Sequence, residues 1–190
     1  MTSISLRTAV IAVLCIMLAT ALLELSFGRV PVCTCGHISL WTGTVYGPEN
    51  SQQLSDWYTP SHIIHGMLFF ALLTFFFSRT SIGFRLIIAT LIEVAWELLE
   101  NSQLIIDRYR SATLAIGYNG DSVLNSLSDV VAMIGGFFLA RYVPWWVSVL
   151  VVIFFELFVG YMIHDNLTLN IIMLIHPIDA IKVWQAQISI

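Results

Sequence analysis

The stretch "RLIIATLIEVAWELLEN" at residues 85–101 decides the fold class, because it is an apolar helical run with three glutamates in line. Glu93, Glu97 and Glu100 are spaced i, i+4 and i+7, so at about 3.6 residues per turn they lie on one face of a helix. An ionisable side chain at the centre of a membrane helix costs about 2.5–3.5 kcal/mol on insertion scales. The pattern therefore predicts a membrane helix whose acidic face lines a buried polar site.

The composition of the whole chain is that of an integral membrane protein. Of its 190 residues, 58% are hydrophobic and 11% are charged, whereas about a quarter of the residues of a soluble domain are charged. The net charge of −4 comes largely from carboxylates inside or beside the apolar runs, so it does not indicate a basic partner. We expect membrane lipids as partners and no nucleic acid, and a protein partner is left open.

Five segments approach the length that a membrane span needs, which is about 20 apolar residues for a hydrocarbon core about 30 Å thick. They are residues 8–27, 61–77, 86–100, 122–140 and 145–163. An outer loop, 28–60, follows the first segment, and the C-terminal stretch, 164–190, is expected to form a helix at the membrane surface with Asp179 as a cap. The sequence thus predicts an all-α, polytopic membrane helical bundle, a single domain over residues 1–190, with about five transmembrane helices and a C-terminal interfacial helix.

The orientation is predicted from the positive charges. If the N-terminus is inside, the short inner loops and the inner terminus carry Arg7, Arg79, Arg85 and Arg141. The long outer segments carry Arg29, Arg108, Arg110 and Lys182. Because the positive-inside rule gives most weight to short loops, we expect the N-terminus inside and the C-terminus outside. We interpret the first segment as a retained helix and not as a signal peptide, since its apolar run continues past the small residues at 19–21.

The outer loop contains two cysteines, Cys33 and Cys35, in the sequence "CTCGH". A disulfide between cysteines so close in sequence is expected to be strained. Three alternatives remain open, which are free thiols, a metal contact shared with His37, and a plain loop. The plain loop is favoured, because two cysteines and one histidine are a weak metal signature.

The polar residues of the predicted helices fall in the same half of the membrane, whichever way the protein is oriented. They are Glu24, His62, His65, Glu93, Glu97, Glu100, Asn101, Asp121, Asn125, Asp129 and the "HDN" at residues 164–166 that ends the last segment. Asp121, Asn125 and Asp129 repeat every four residues, so the fourth membrane segment carries a polar stripe of its own, with Asp121 as a candidate N-cap. Polar residues with a purely structural role would be expected in both halves of the membrane. Because these residues all fall in one half, they predict a single functional polar site.

The residue types of this site favour a metal. Adjacent carboxylates in an apolar environment repel one another and take up protons unless a cation neutralises them. Carboxylates and histidines on facing helices are the ligands of zinc, iron or manganese, so one or two such divalent ions are the expected cofactors. The predicted ligands are His62, His65, Glu97, Asp121 and Asp129. The alternative is that the carboxylates are protonated and hydrogen-bond between helices as purely structural groups.

Roles for the remaining polar residues follow from the metal hypothesis. Glu100 or Glu93 would act as general base toward a metal-bound water, whose pKa a metal lowers to about 7, and Asn101 would polarise the substrate. Asn125 and Ser122 are predicted to orient the ligands. Arg108 and Arg110 would bind an anionic headgroup, or else they mark the membrane surface.

These roles predict a metal-dependent hydrolase that acts inside the membrane on a lipid or lipid-linked substrate. Two alternatives stay open. Polar stripes also suit a proton- or cation-coupled transporter, although the chain has no internal repeat. The stripes could equally bind a partner helix, which would make the chain an accessory subunit of a membrane complex.

Several blocks of the sequence resemble a known family. They are "GRVPVCTCGHISLWTG", "DWYTPSHIIHG", "EVAWELLEN", "GYNGDSVLNSLSD" and "DNLTLNIIMLIHPIDAIKVWQ". These blocks are similar to an uncharacterised, UPF-type family of small inner-membrane proteins of Gram-negative bacteria that carry a domain-of-unknown-function label. The resemblance implies a multi-pass inner-membrane protein with no assigned activity. In that membrane, the orientation predicted from the charges puts the N-terminus in the cytoplasm and the C-terminus in the periplasm. The polar helix that starts near Asp121 is also distantly similar to VanZ-like membrane proteins.

Overall fold

The computed structural model describes residues 3–113 and 117–187, which form eight α-helices and no strand. The helices are α1 (Leu6–Ser26), α2 (Thr59–Phe76), α3 (Ile82–Glu100), α4 (Gln103–Ala112), α5 (Val123–Tyr142), α6 (Trp145–Ile163), α7 (Leu167–Ile175) and α8 (Asp179–Gln185). The all-α membrane bundle is therefore confirmed. The predicted ranges 1–190 and 164–190 also include residues 1–2, 114–116 and 188–190, which lie outside the described residues.

Four of the described helices, α1, α2, α5 and α6, are long and apolar enough to cross a membrane. The remaining predicted span, residues 86–100, forms most of α3. This helix has 19 residues, but it is less apolar than the other four because it carries Arg85 and three glutamates. This helix packs against α1, α2 and α5. Glu93 and Glu97 on it are 0% and 1% exposed, so the charges that lower its hydropathy face the interior of the bundle.

The long helices alternate in direction and give the bundle two different ends. At one end the Ile4 amide donates to Ser81 Oγ at 3.0 Å, which joins the start of α1 to the turn between α2 and α3. At the other end the Ser122 amide donates to the Ser51 carbonyl oxygen at 3.1 Å, so the loop after α1 packs on the start of α5. The long loop and the polar ends of α2, α3 and α5 therefore meet at one end, as the sequence predicts.

Helices α2 and α5 make the closest helix contact in the bundle, and glycines permit it. A Cβ atom on Gly66 would lie 1.9 Å from the Met133 carbonyl oxygen, and one on Gly136 would lie 2.0 Å from the Ile63 carbonyl oxygen. Small residues at such crossings let two backbones touch, which is a common way to pack helices in membranes. This contact brings the histidines of α2 against the acidic stripe of α5.

The half of the bundle away from the polar end is filled by an apolar core. Its buried members are Val13, Leu73, Leu86, Ala89, Val94, Val130, Met133 and Phe137. They come from α1, α2, α3 and α5, the same helices that surround the polar end. Polar and apolar halves are thus stacked along the bundle axis.

Three short helices, α4, α7 and α8, lie at the polar end. The sequence did not predict α4, because it is short and amphipathic. Arg108 on α4 donates from Nε to the Leu174 carbonyl oxygen at 2.8 Å, which satisfies the C-terminal end of α7. Lys182 Nζ donates to the Ser111 carbonyl oxygen at 2.9 Å, so α8 is joined to α4 as well. Asp179 is the first residue of α8 and not its cap, a position that Ile178 occupies.

Cys33 and Cys35 form a disulfide. The alternatives of free thiols and of a metal contact with His37 are therefore wrong, and the favoured plain loop is in fact cross-linked. The Cα atoms of the two cysteines are 5.2 Å apart, a usual separation for disulfide-bonded residues. His37 instead lies 3.4 Å, from Nε2 to Oε2, from Glu49.

Candidate functional site

The centre of the polar end is a glutamate held between two histidines. His62 Nδ1 lies 2.6 Å from Glu93 Oε1, and His65 Nδ1 lies 3.1 Å from Glu93 Oε2. The two histidines are three residues apart and so lie on one face of α2. A carboxylate that accepts from the Nδ1 of a histidine fixes the ring and leaves Nε2 as the metal-binding nitrogen. Glu93, predicted as a general base, is therefore placed to orient both rings.

Two further carboxylates stand beside His62. Its Nε2 lies 3.7 Å from Asp129 Oδ2, and its Nδ1 lies 3.4 Å from Glu97 Oε1. Zinc binds nitrogen and oxygen ligands at about 2.0–2.2 Å, so an Nε2–Oδ2 separation of 3.7 Å suits two ligands of one ion. Asp129 also accepts, through Oδ1, from Thr59 Oγ1 at 3.4 Å.

Glu97 is the unusual member of the cluster. Its side chain is 1% exposed, and neither carboxylate oxygen accepts a hydrogen bond from the described residues. A buried ionised carboxylate without hydrogen bonds is strongly disfavoured. A cation or a proton must therefore compensate the charge of Glu97. The neighbouring His62 does not supply this proton, because its Nδ1 is already hydrogen-bonded to Glu93.

The five predicted metal ligands do not all lie together. Two of the five, His62 and His65, form a group with Glu93 in which each residue offers a ligand atom within 4.8 Å of the other two. Two more of the five, Glu97 and Asp129, lie next to His62. These side chains belong to α2, α3 and α5, as the helical spacing predicts.

Asp121 lies apart from this group at the mouth of the site. Its oxygens accept from Asn101 Nδ2 at 3.0 Å and from the Tyr118 hydroxyl at 2.8 Å. Burial raises the pKa of the Asp121 carboxyl to about 6. The N-cap of α5 is Ser122, whose Oγ accepts from the Asn125 amide at 3.2 Å, so the assignment of that cap to Asp121 is wrong.

The polar amides predicted beside the ligands fix the loops around the site. Asn101 Oδ1 accepts from the Asp121 amide at 2.6 Å. Asn125 Nδ2 donates to the Gln53 carbonyl oxygen at 2.9 Å, and Ser122 Oγ donates to the Gln52 carbonyl oxygen at 3.1 Å. Ser122 and Asn125 thus join the start of α5 to the outer loop, whereas Asn101 joins the end of α3 to the turn before α5.

A cavity of about 150 Å³ opens beside this cluster and is called the inner cavity. Its polar walls include His62, His65, Glu100, Asp121, Asn125, Asp129 and Asp165, and its aromatic and apolar walls include Tyr58, Trp96, Tyr109, Tyr118, Leu167 and Ile171. A cavity of this size holds several water molecules. The inner cavity therefore offers both charged groups and apolar surface next to the candidate ligands.

The outer wall of the inner cavity is a hydrogen-bonded network that the sequence did not reveal. Glu100 Oε1 accepts from the Tyr109 hydroxyl at 2.8 Å, and that hydroxyl also lies 2.9 Å from Asn170 Oδ1. The Tyr58 hydroxyl lies 3.5 Å from Asp165 Oδ2, and burial raises the pKa of Asp165 to about 7. The sequence does not reveal Tyr109, because α4 was not predicted, whereas Asp165 was predicted at this end of the bundle as part of the "HDN" at residues 164–166.

The two arginines predicted to bind substrate do not line the inner cavity. Arg108 bonds to the end of α7, as described above. Arg110 donates from Nε to the Tyr118 carbonyl oxygen at 2.6 Å and lines a second cavity of about 390 Å³, called the outer cavity. Arg29 lines the outer cavity as well.

The sequence matches the family described as "Protein of unknown function (DUF2585)" over residues 24–187. The chain belongs to this family. It is 55% identical to a UPF0314 protein of Rhizobium etli, over 92% of this chain and 90% of the relative. It is 52% identical to a UPF0314 protein of Sphingopyxis alaskensis, over 95% and 96%, and 50% identical to one of Paracoccus denitrificans, over 91% and 90%. No solved structure matches the chain. The distant likeness to VanZ-like proteins stays a prediction.

Proposed function

We propose that this protein is a metal-dependent hydrolase that acts within the membrane on a lipid or lipid-linked substrate. The observation that carries the proposal is Glu97, a fully buried carboxylate without a hydrogen bond from the described residues, next to a histidine whose Nε2 is 3.7 Å from Asp129. A divalent cation compensates such a group, and the mixture of carboxylate and imidazole ligands suits zinc, iron or manganese.

In this proposal His62, His65, Glu97 and Asp129 hold the ion. Glu93 accepts from both Nδ1 atoms and thereby keeps the two rings in position. The ion would lower the pKa of a bound water to about 7 and polarise the bond to be cleaved.

Glu100 is the residue of the inner cavity best placed to take a proton from an attacking water. It lines that cavity and is fixed by the Tyr109 hydroxyl at 2.8 Å. Trp96, Leu167 and Ile171 supply apolar wall against which acyl or prenyl chains pack. A site of mixed polarity at one end of a membrane bundle suits a lipid headgroup with its first chain carbons.

The proposed location is the bacterial inner membrane, with the site at its periplasmic face. The arginines of the end opposite the site, Arg7, Arg79, Arg85 and Arg141, lie in short segments, which favours a cytoplasmic position for that end. Alkaline phosphatase, which is active only in the periplasm, should be active when fused to the C-terminus and inactive when fused after Arg79. The reverse pattern would overturn the orientation.

The apolar core supports an enzyme over a proton- or cation-coupled transporter. A relay needs polar groups through the thickness of the membrane, whereas the half of the bundle beyond Glu93 is packed with apolar side chains such as Leu86, Met133 and Phe137.

Metal content tests the proposal directly. The untagged protein is purified in mild detergent and its metals are measured by inductively coupled plasma mass spectrometry, for the wild type and for Glu97→Gln, Asp129→Asn and His65→Ala. Glu24→Gln is the matched control, because Glu24 is another fully buried carboxylate of the polar half but, unlike Glu97, forms no ion pair with a histidine of the described residues. We expect stoichiometric zinc, iron or manganese in the wild type and the control, and loss in the other three.

Hydrolysis is then tested on a membrane lipid extract, with released fatty acids, headgroups and phosphate detected by mass spectrometry. Release should depend on the metal and on Glu97. Folded protein that takes up no metal when zinc, iron or manganese is supplied would overturn the metal site and favour the structural or proton-carrying alternatives. If the protein binds metal but releases no product, the metal site stands, the hydrolase function is overturned, and the accessory-subunit alternative is favoured.

A further inference from the structure

The outer cavity carries two arginines that the proposed chemistry does not use. Arg29 follows α1, and Arg110 lies in the last turn of α4. Both line the outer cavity, although 81 positions separate them in the sequence. The fold thus brings two positive charges to one concave surface at the polar end.

A backbone carbonyl group holds the Arg29 side chain in place. Its Nη1 donates to the Asn119 carbonyl oxygen, and its Nε is buried without an acceptor among the described residues. Among the described residues no carboxylate lies within ion-pair distance of Arg29, although Glu24 interacts with its charge from farther away. A buried guanidinium nitrogen without an acceptor is costly, so this side chain is suited to an anionic ligand.

Gly120 makes room for Arg29. A Cβ atom on Gly120 would lie 2.1 Å from Arg29 Nη1, and the glycine has a φ of +87° that other residues rarely adopt. The position of the guanidinium therefore depends on a glycine in the turn before α5.

Arg110 reaches the same turn from the other side. Its Nε donates to the Tyr118 carbonyl oxygen at 2.6 Å, and its Nη2 donates to Asn119 Oδ1. Its only carboxylate neighbour in an ion pair, within the described residues, is Asp107, at 3.6 Å and largely exposed. An exposed pair of this kind contributes little, so Arg110 keeps most of its positive charge available.

The outer cavity adjoins the inner cavity. Asn50, Tyr118 and Asp121 line both of them. The Asp121 carboxylate is already bound by Asn101 and Tyr118, and its single negative charge offsets the two arginines only in part. A ligand in the outer cavity would lie one side chain away from the candidate metal ligands.

We propose that Arg29 and Arg110 bind the phosphate group of an anionic lipid, whose adjoining part enters the inner cavity. Guanidinium groups recognise phosphate oxygens through paired N–H donors, and the volume of about 390 Å³ exceeds what a single phosphate needs. That this lipid is the substrate rests on the proposed hydrolase function, but its binding does not.

The test measures binding without turnover. Purified protein in uncharged detergent, treated with a chelator, is titrated by calorimetry with dihexanoyl phosphatidylglycerol, with dihexanoyl glycerol as the phosphate-free probe and with inorganic phosphate. We expect saturable binding of phosphatidylglycerol and at least tenfold weaker binding by Arg29→Gln and by Arg110→Gln. Arg79→Gln, at the opposite end of the bundle, is the matched control and should bind as the wild type does.

Second variants keep the test informative if glutamine destabilises the fold. Arg29→Lys and Arg110→Lys keep the charge but not the fork of donors, so both should weaken binding while size-exclusion profiles stay unchanged. Equal affinity for dihexanoyl glycerol, or binding unaffected by all of these folded variants, would overturn the inference. Displacement of the lipid by millimolar inorganic phosphate would identify free phosphate as the ligand and overturn the lipid assignment. Lipid binding by a protein that takes up no metal would leave the inference standing and overturn the hydrolase alone.

Discussion

The contact between α2 and α5 can be tested with a single methyl group. In Gly136→Ala the new Cβ would lie 2.0 Å from the Ile63 carbonyl oxygen, and real Cβ atoms essentially never come closer than 3.0 Å. The two helices must therefore move apart by about 1 Å at that point. Overpacking of this kind costs about 1–3 kcal/mol.

The same displacement should reach the candidate metal ligands. His62 Nε2 and Asp129 Oδ2 are 3.7 Å apart and would move to a separation of about 4.7 Å. Two bonds of about 2.2 Å span at most about 4.4 Å even in a straight line. One ion could then no longer bind both atoms, so Gly136→Ala should lose metal affinity as well as stability.

Gly135→Ala is the matched control for this prediction. A Cβ at Gly135 would meet nothing within 4 Å, and alanine is favoured over glycine in a helix by about 1 kcal/mol. We expect thermal unfolding in detergent to rank Gly135→Ala at or above the wild type and Gly136→Ala several degrees below it. Metal titration should separate the two variants in the same order. Equal unfolding temperatures and equal metal affinities for the two variants would refute the reasoning.

Three further predictions concern other parts of the polar end. Glu97→Gln should raise the unfolding temperature of the metal-free protein, because the amide replaces a buried carboxylate without hydrogen bonds; a lower temperature would contradict this. Asp165 has a folded pKa of about 7 against 3.8 in a model peptide, so its burial lowers stability as pH rises from about 4 to 7, by at most about 4 kcal/mol. Asp165→Asn should therefore gain in unfolding temperature over the wild type at pH 8.5 and not at pH 4, and an equal gain at both would refute the pKa. Arg108→Ala should speed hydrogen exchange in α7, because two carbonyl groups at its end lose their donor, and unchanged exchange would show that the contact is unimportant.

Helical spacing was enough to predict which side chains cluster in the polar half of the bundle. Residues four or seven apart on α3 and α5 share a face, so Glu97 and Asp129 could be placed in the interior before the structure was known. The alternation of membrane helices then brought His62 and His65 to the same end. Length and hydropathy likewise predicted α1, α2, α5 and α6, which are confirmed.

Contacts that cross between distant segments could not be predicted in this way. The sequence places Asp121 on the polar stripe of α5, but it cannot show that Asn101 and Tyr118 occupy its carboxylate. Glu93 looked like its two neighbours on α3, and only the approach of α2 distinguishes it as the acceptor of both histidines. The proximity of Arg29 and Arg110 in the outer cavity could not be predicted either, because Arg29 lies in a loop that has no helical periodicity.

The burial of Glu93 and Glu97 on α3 also constrains how the protein enters the membrane. At about 2.5–3.5 kcal/mol for each charged residue at a helix centre, a segment of this kind inserts poorly alone. A turn of only five residues, 77–81, joins α3 to α2, whose histidines contact Glu93. The two helices should therefore leave the insertion machinery together as a hairpin, with these polar side chains already paired. Assembly of the site is then a condition for membrane integration and not a step that follows it.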